Sequence, residues 1–161
     1  MALGLFRSKS TTPRQERLRS LSLFIHLTPR ELQILDGLLH ERDYLKDEVI
    51  FDAGEEGQAI YIVLEGQVLI CRQGQPVEGR IAELGAGTFF GELALLDNDP
   101  RSAQARAASD CRLAVFFRED FMNLLETHAV IASKISRELA RHIGRRMREL
   151  ANHSASALQH L

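Results

Sequence analysis

The middle of the chain, from Tyr44 to Phe117, is the feature that most constrains the fold. It consists of short apolar runs separated by glycine-containing breaks: EVIFD, AIYIVLEG, QVLICRQG, GRIAELGAG and CRLAVF. Runs of this length that are rich in β-branched residues and end at turn residues are typical of strands. Many such strands in one domain predict a barrel or a jelly-roll-like β-structure. Between two of these runs, Glu65-Gly66 predicts a hairpin turn.

Helical patterns precede this β-body. Residues 14–23 predict a short helix with leucines on one side. Thr28 is followed by a proline and, three residues on, by Glu31, a spacing that predicts a capped helix start. Leucines at helical spacing extend this second helix to about His40.

Helical patterns also follow the β-body. A first helix is predicted to end near Glu126, and a longer one runs from Ala129 to about Leu150. The longer helix carries a single apolar stripe. Its members are Ile131, Ile135, Leu139, Ile143, Met147 and Leu150.

These elements predict one α+β domain, which is what a chain of 161 residues usually forms. We expect a flexible lead-in over 1–13, a folded domain over 14–152 and a frayed tail over 153–161. Within the domain we expect N-terminal helices over 14–42, a β-roll over 43–117 and C-terminal helices over 118–152.

The charges are distributed unevenly, although the net charge is only -2. Residues 1–30 and 131–161 each carry six Lys/Arg, whereas residues 31–130 carry eight Lys/Arg and nineteen Asp/Glu. An acidic body argues against nucleic-acid binding by the β-roll itself. An anion site in this body would need its own local positive charge.

The sequence predicts a cytoplasmic protein. The start MALGLFRSKS has too short an apolar stretch for a signal peptide, and no run approaches the roughly 20 apolar residues of a membrane span. Cys71 and Cys111 are too few for a disulfide framework, so we expect two interior thiols in a reducing compartment.

The segment FFGELALLDNDPRSAQAR, residues 89–106, combines groups suited to a sugar and to an anion. Gly91 permits close approach of the backbone, and the Glu92 carboxylate accepts hydrogen bonds from hydroxyls such as a ribose 2′-OH. A helical turn over 92–95 offers free N–H groups to an anion. After an acidic turn, Arg101 and Ser102 add donors suited to phosphate oxygens. The alternative for Glu92 and Arg101 is a structural ion pair beside a turn.

The order of residues in this segment resembles the phosphate-binding cassette of cyclic nucleotide-binding domains. That family includes kinase A regulatory subunits, gated channels and the bacterial catabolite activators, and its pattern is F-G-E-[LI]-A-L, a variable turn, then [PE]-R-x-A. The resemblance extends over about residues 20–150 and implies a cyclic nucleotide-binding β-roll, a jelly-roll-like double-stranded β-helix. It further implies that ribose is held by Gly91 and Glu92. The cyclic phosphate would be held by Leu93, Ala94, Arg101, Ser102 and Ala103.

The base is specified less firmly. Bacterial cAMP receptors often have serine at the position of Ser102, so we expect cAMP, with cGMP left open. In the activators the long C-terminal helix covers the base, and the matching segment here is LARHIGRRM. It places His142, Arg146 and Met147 as candidate base contacts, because an arginine can stack on a base or bond to its edge. The alternative is that the arginines of this helix form a solvated basic face.

Two other classes fit the sequence less well. A metal-binding cupin needs several histidines on its strands, and none of the six histidines lies between residues 43 and 117. With no catalytic arrangement evident, we expect no metal, no catalytic cofactor and no enzymatic activity. A DNA-binding activator needs a helix-turn-helix after the long helix, for which too few residues follow Leu150, so we expect a stand-alone domain without a DNA-binding domain.

The sequence therefore predicts a cyclic nucleotide sensor, with cAMP as the expected ligand. We expect binding to close the long helix over the site and to signal either to an unidentified effector protein or through a homodimer made by that helix. The alternatives are a degenerate β-roll kept as an interaction or structural module, a cGMP sensor, and a truncated protein that resembles a transcription regulator.

Overall fold

The structure is a computed structural model that describes residues 12–158. It has helices at both ends of a β-structure, as the periodicity predicts. The helices are α1 (Pro13–Arg19), α2 (Pro29–Asp36), α3 (Arg118–Thr127) and α4 (Ala129–Leu158). A one-turn 3₁₀ helix, Ser22–Phe24, connects α1 to the segment before α2. Thr28 caps α2 and forms the predicted capping box with Glu31.

Within residues 12–158, eight strands form two antiparallel four-stranded sheets, which confirms the predicted β-roll. The strands are β1 (Leu39–Tyr44), β2 (Val49–Phe51), β3 (Ala59–Glu65), β4 (Gln67–Arg72), β5 (Gln75–Gly85), β6 (Phe89–Phe90), β7 (Gln104–Ala107) and β8 (Cys111–Phe117). One sheet has the order β1-β8-β3-β6 and the other has the order β2-β7-β4-β5. Apart from the consecutive pair β4 and β5, neighbouring strands in the sheets are not consecutive in sequence, which is the topology of a jelly-roll-like structure.

Strands β3 and β8 are buried on both faces, because the core has two parts. One part lies between the helices and the first sheet, and it takes Ile60, Ile62 and Phe116. The other lies inside the roll, and it takes Val63, Leu113 and Cys111. Burial on both faces explains why these strands are almost continuously apolar rather than alternating. Cys71 and Cys111 are both buried and free, as predicted.

The predicted hairpin at Glu65-Gly66 is wrong. Strand β3 pairs with β6 and β8, whereas β4 pairs with β5 and β7, so the two strands lie in different sheets. Gly66 is where the chain crosses between the sheets, with φ of 83°. A Cβ at this position would lie 2.3 Å from the Asp110 carbonyl oxygen, so the crossing requires glycine.

Three helix boundaries differ from the prediction. Helix α1 begins at Pro13 with Thr12 as its cap, inside the predicted lead-in, and residues 1–11 lie outside the described residues. Helix α2 ends at Asp36 rather than near His40, because Leu39 already pairs with Phe116 in the first sheet. Helix α4 extends past the predicted end near Leu150 into the predicted tail, whose last three residues lie outside the described range.

The apolar stripe of α4 is used in two different ways. Its first half packs into the core, where Ile131, Ile135 and Leu139 are buried. Its second half is open: Met147 is 66% exposed and Leu150 is 67% exposed. Among residues 12–158 no helix combines the length and apolar character needed to cross a membrane.

Candidate functional site

Gly91 sets the geometry of the site. It follows β6 and has φ of 74°, the left-handed conformation that favours glycine, and the one-turn 3₁₀ helix Glu92–Leu95 begins directly after it. A Cβ on Gly91 would lie 2.5 Å from Nη1 of Arg101. The position therefore has to lack a side chain for Arg101 to pack against the backbone at this turn.

Arg101 is anchored on the β-roll. Its Nη1 donates to the Gly91 carbonyl at 3.1 Å and its Nη2 donates to the Ala59 carbonyl at 2.6 Å. The guanidinium carbon lies 4.2 Å from the centre of the Phe51 ring, a cation–π contact. The backbone of Arg101 is held as well, because its N–H donates to the Glu55 carbonyl at 2.8 Å.

One donor of Arg101 is left over. Its Nε is buried and has no hydrogen-bond partner within the described residues. Burial lowers the pKa of Arg101, and the charges of Tyr61, Glu55 and Glu92 oppose that shift. A guanidinium that is partly desolvated and has a spare donor fits an anionic oxygen, because the anion would both satisfy Nε and offset the desolvation of the positive charge.

Glu92 is buried and takes its polar contacts from α4. Its Oε1 accepts a hydrogen bond from Nη1 of Arg146 at 2.6 Å and lies 3.6 Å from Nε2 of His142. The ion pair between Glu92 and Arg101, the structural alternative for this segment, is not formed: Arg101 bonds to backbone carbonyls and Glu92 pairs with Arg146. The carboxylate and the guanidinium of the cassette are thus left with separate partners.

His142 and Arg146 are both drawn to Glu92, whereas Met147 is not. The His142 ring lies against Phe89, with 4.4 Å between the ring centres. Burial lowers the pKa of His142, the charge of Glu92 raises it, and the charges of Arg145 and Arg146 lower it further. Met147 lies on the exposed half of the α4 stripe. The base contacts assigned to these three residues stay predictions.

The remaining predicted phosphate residues lie around the turn made by Gly91. The Ala94 N–H donates to the Gly91 carbonyl at 3.2 Å, and Ala94 is buried while Leu93 is half exposed. Ser102 is exposed and Ala103 is half-buried, immediately before β7. The fold therefore brings both ends of residues 91–103 to one place, although their roles toward a ligand stay predictions.

Sequence reasoning missed the residues that hold Arg101. Phe51 and Tyr61 lie beside its guanidinium, and the Ala59 carbonyl accepts from it. Nothing in the sequence marks them, because they belong to apolar runs whose other members are ordinary core residues. Asp52 and Gln104 were also missed; Gln104 is buried and its Nε2 donates to Asp52 at 2.5 Å, which ties the end of the cassette to the loop after β2.

Comparison with known proteins identifies the family of this chain. The model of the cyclic nucleotide-binding domain matches residues 41–128. The chain is 36% identical over 129 residues to the cyclic AMP receptor protein of Thermus thermophilus, covering 78% of this chain and 59% of that protein. It is 33% identical over 126 residues to the cAMP-dependent protein kinase regulatory subunit of Mycosarcoma maydis, covering 75% of this chain and 24% of that protein.

Solved structures give the same result for the fold. The crystal structure of the Thermus thermophilus catabolite activator protein aligns with a TM-score of 0.73 and 35% identity, covering 86% of this chain and 63% of the other. This chain therefore spans less than two thirds of the length of each of the proteins compared here.

Proposed function

The chain belongs to the cyclic nucleotide-binding domain family, and we propose that it is a cytoplasmic cyclic nucleotide receptor, with cAMP as its ligand, that regulates another protein and has no enzymatic activity of its own. The observation that carries this proposal is the pair of groups around Gly91: an arginine with a spare donor and a buried carboxylate. An anion binder alone would not need Glu92, and a sugar binder alone would not need Arg101.

In this proposal the cyclic phosphate lies against Arg101, Ser102 and Ala103 and the N–H groups of Leu93 and Ala94. Arg101 supplies the local positive charge that an anion site in the acidic body needs, and its Nε supplies a directed donor. Glu92, beside Gly91, accepts a hydrogen bond from a ribose hydroxyl. The two functions need residues nine positions apart, Glu92 and Arg101, and the turn at Gly91 lies between their positions in the site.

The preference for cAMP is supported by Ser102 and by the relatives. One is a cyclic AMP receptor and another is the regulatory subunit of a cAMP-dependent kinase. No residue toward the base is assigned beyond the candidates His142, Arg146 and Met147. For this reason cGMP is the competitor ligand in the test.

Titration calorimetry with cAMP, cGMP and 5′-AMP tests the proposal. We expect cAMP to bind more tightly than cGMP, and 5′-AMP to bind much more weakly, because its phosphate is not cyclic. Tighter binding of cGMP would overturn the choice of ligand. If neither cyclic nucleotide binds, the proposal of a cyclic nucleotide receptor is wrong, and an interaction module with a degenerate β-roll is favoured instead.

We propose further that the signal leaves through α4, by contact with an effector or a second copy of this chain. The support is the exposed half of the stripe, where Met147 and Leu150 are each about two-thirds exposed. Paired apolar stripes of two helices would bury these side chains in a homodimer. Light scattering with and without cAMP should give a dimer, and the double variant M147D/L150D should give a monomer. A monomeric parent under both conditions contradicts the homodimer.

A further inference from the structure

Arg146 makes a contact that the family resemblance does not predict. That resemblance places it toward the base, yet its guanidinium bonds to Oε1 of Glu92 at 2.6 Å. The contact joins residues 54 positions apart and connects α4 to the sugar side of the site. Arg146 therefore meets the group that is proposed to recognise ribose.

The two partners differ sharply in exposure, and this shows which of them depends on the other. The side chain of Glu92 is 4% exposed, whereas the side chain of Arg146 is 59% exposed. A buried carboxylate without a cation is costly, while an arginine at the surface is readily solvated. Glu92 thus depends on Arg146, and a neutral sugar hydroxyl is a poor substitute for that positive charge.

The contacts from α4 also leave one oxygen of the Glu92 carboxylate unused. The contacts from Arg146 and from His142 fall on the same oxygen, Oε1. A carboxylate has two oxygens with about four acceptor positions, so Oε2 is the oxygen for a ribose hydroxyl. Arg146 can therefore stay in place while the sugar binds.

We propose that Arg146 is a positioning residue that holds the Glu92 carboxylate for the ribose 2′-OH, so that sugar recognition belongs jointly to the β-roll and to α4. Arg146 then adds no discrimination between adenine and guanine, because its guanidinium is committed to Glu92. The inference rests on the proposed function, since it requires a nucleotide in this site. It also makes the docking of α4 and the recognition of the sugar reciprocal, because one ion pair serves both.

The test compares cAMP with 2′-deoxy-cAMP, which lacks the one hydroxyl at issue. Calorimetry is run on the parent chain and on Arg146→Ala, Arg146→Lys and Arg148→Ala. Arg148 is an exposed arginine two positions further along α4 and serves as the matched control for charge. Circular dichroism of each variant verifies the fold, and the conservative Arg146→Lys provides a second variant that retains the charge.

We expect the parent to bind cAMP about tenfold more tightly than the deoxy analogue, as for one charge-assisted hydrogen bond. In Arg146→Ala this ratio should fall toward one, mainly through weaker binding of cAMP. Arg146→Lys should restore part of the ratio, and Arg148→Ala should keep it. The ratio of cAMP to cGMP affinity should be the same in all four proteins.

Three results would overturn this inference while leaving the proposed function standing. An unchanged ratio of cAMP to 2′-deoxy-cAMP affinity in Arg146→Ala would show that Glu92 binds the 2′-OH without being positioned by Arg146. A larger ratio would show that Arg146 competes with the sugar. A changed ratio of cAMP to cGMP affinity would show that Arg146 contacts the base. If the parent binds no cyclic nucleotide, the proposed function fails together with this inference.

Discussion

The two halves of the site are held by different parts of the molecule. Arg101 bonds to the carbonyls of Gly91 and Ala59, both within the β-roll. Glu92 lies next to Gly91 in sequence, yet its polar contacts come from Arg146 and His142 on α4. Arg101 and Glu92 belong to one short segment, yet their side chains are held by separate parts of the fold, the β-roll and α4.

Under the proposed function, this difference would let one binding site also act as a sensor. The phosphate half keeps its geometry as long as the β-roll is folded. The sugar half is complete only when α4 is docked, because the buried carboxylate needs a cation that α4 supplies. A ligand that contacts both halves is then linked to the position of α4. The four predictions below change the phosphate half, the turn between the halves, or the sugar half.

Reversing the charge of the phosphate half should have the largest effect. Arg101→Glu puts a carboxylate where the phosphate is proposed to bind, so cAMP affinity should fall by about 100-fold or more. Calorimetry measures the loss, and Arg72→Glu, an exposed site on β4, is the control for charge reversal.

Arg101→Glu also removes two hydrogen-bond donors, which should lower the free energy of unfolding by about 1–3 kcal/mol without unfolding the protein. Urea titration verifies that the variant is folded. If folded Arg101→Glu binds cAMP as tightly as the parent, the phosphate assignment is wrong.

Changing the turn between the halves should disturb both. Gly91→Ala forces alanine into φ of 74° and places a Cβ 2.5 Å from Nη1 of Arg101. We expect a loss of roughly 3 kcal/mol in the free energy of unfolding, together with weaker cAMP binding. Gly74→Ala is the matched control, because Gly74 has φ of 69° with open space around its Cβ position. An equal cost at both positions would show that the contact with Arg101 is unimportant.

Neutralising the sugar half should have a moderate and selective effect. Glu92→Gln should weaken cAMP binding about tenfold and leave the 2′-deoxy analogue unaffected. Hydrogen exchange should also speed up along α4 near Arg146, because the ion pair is lost. Glu149→Gln, an exposed acid on the same helix, should change neither quantity. Equal losses of affinity for cAMP and for 2′-deoxy-cAMP would show that Glu92 does not recognise the 2′-OH.

Lowering the pH should slightly reduce the free energy of unfolding through His142, which lies beside the sugar half, whereas among residues 12–158 no comparable group lies in the phosphate half. Burial lowers the pKa of His142 below its ordinary value of 6.5, so the unfolded chain binds the proton more readily. The stability that this group contributes is present above pH 6.5 and is lost as the pH falls through 6.5 toward the lowered pKa. Glu92 and Glu149 favour the protonated ring, while Arg145 and Arg146 oppose it.

Urea unfolding at pH 7.5 and pH 5.5 measures this contribution. The parent should lose more stability between these two values than His142→Gln does, since the variant has no group to protonate at this position. Equal losses in the two proteins would show that protonation of His142 is not coupled to folding.

Local patterns were enough to predict some of the elements and not others. The capping box at Thr28 was predicted because its groups are three residues apart. The hairpin at Glu65-Gly66 was wrong because a glycine between two strands does not show which sheet each strand joins. The end of α2 was misplaced because leucines at helical spacing continue into β1, where pairing with β8 overrides the helical pattern.

The same limit applies to the site. Gly91, Glu92 and Arg101 could be predicted as site residues because they lie within one short segment. Phe51 and Tyr61 were missed, although they flank the guanidinium of Arg101. They belong to strands of different sheets, and only the closing of the roll brings their rings to that arginine.

The class of fold and the chemical groups of residues 91–103 could be predicted from the sequence alone, because these depend on residues close together in the chain. That this segment binds a nucleotide stays a proposal. Only the tertiary structure decided which cation accompanies Glu92 and where the stripe of α4 ceases to be buried. Both depend on how a helix beginning at Ala129 docks on the roll. Glu92 needs a cation only after α4 has docked, because an unpaired carboxylate becomes costly only once water has been excluded from it.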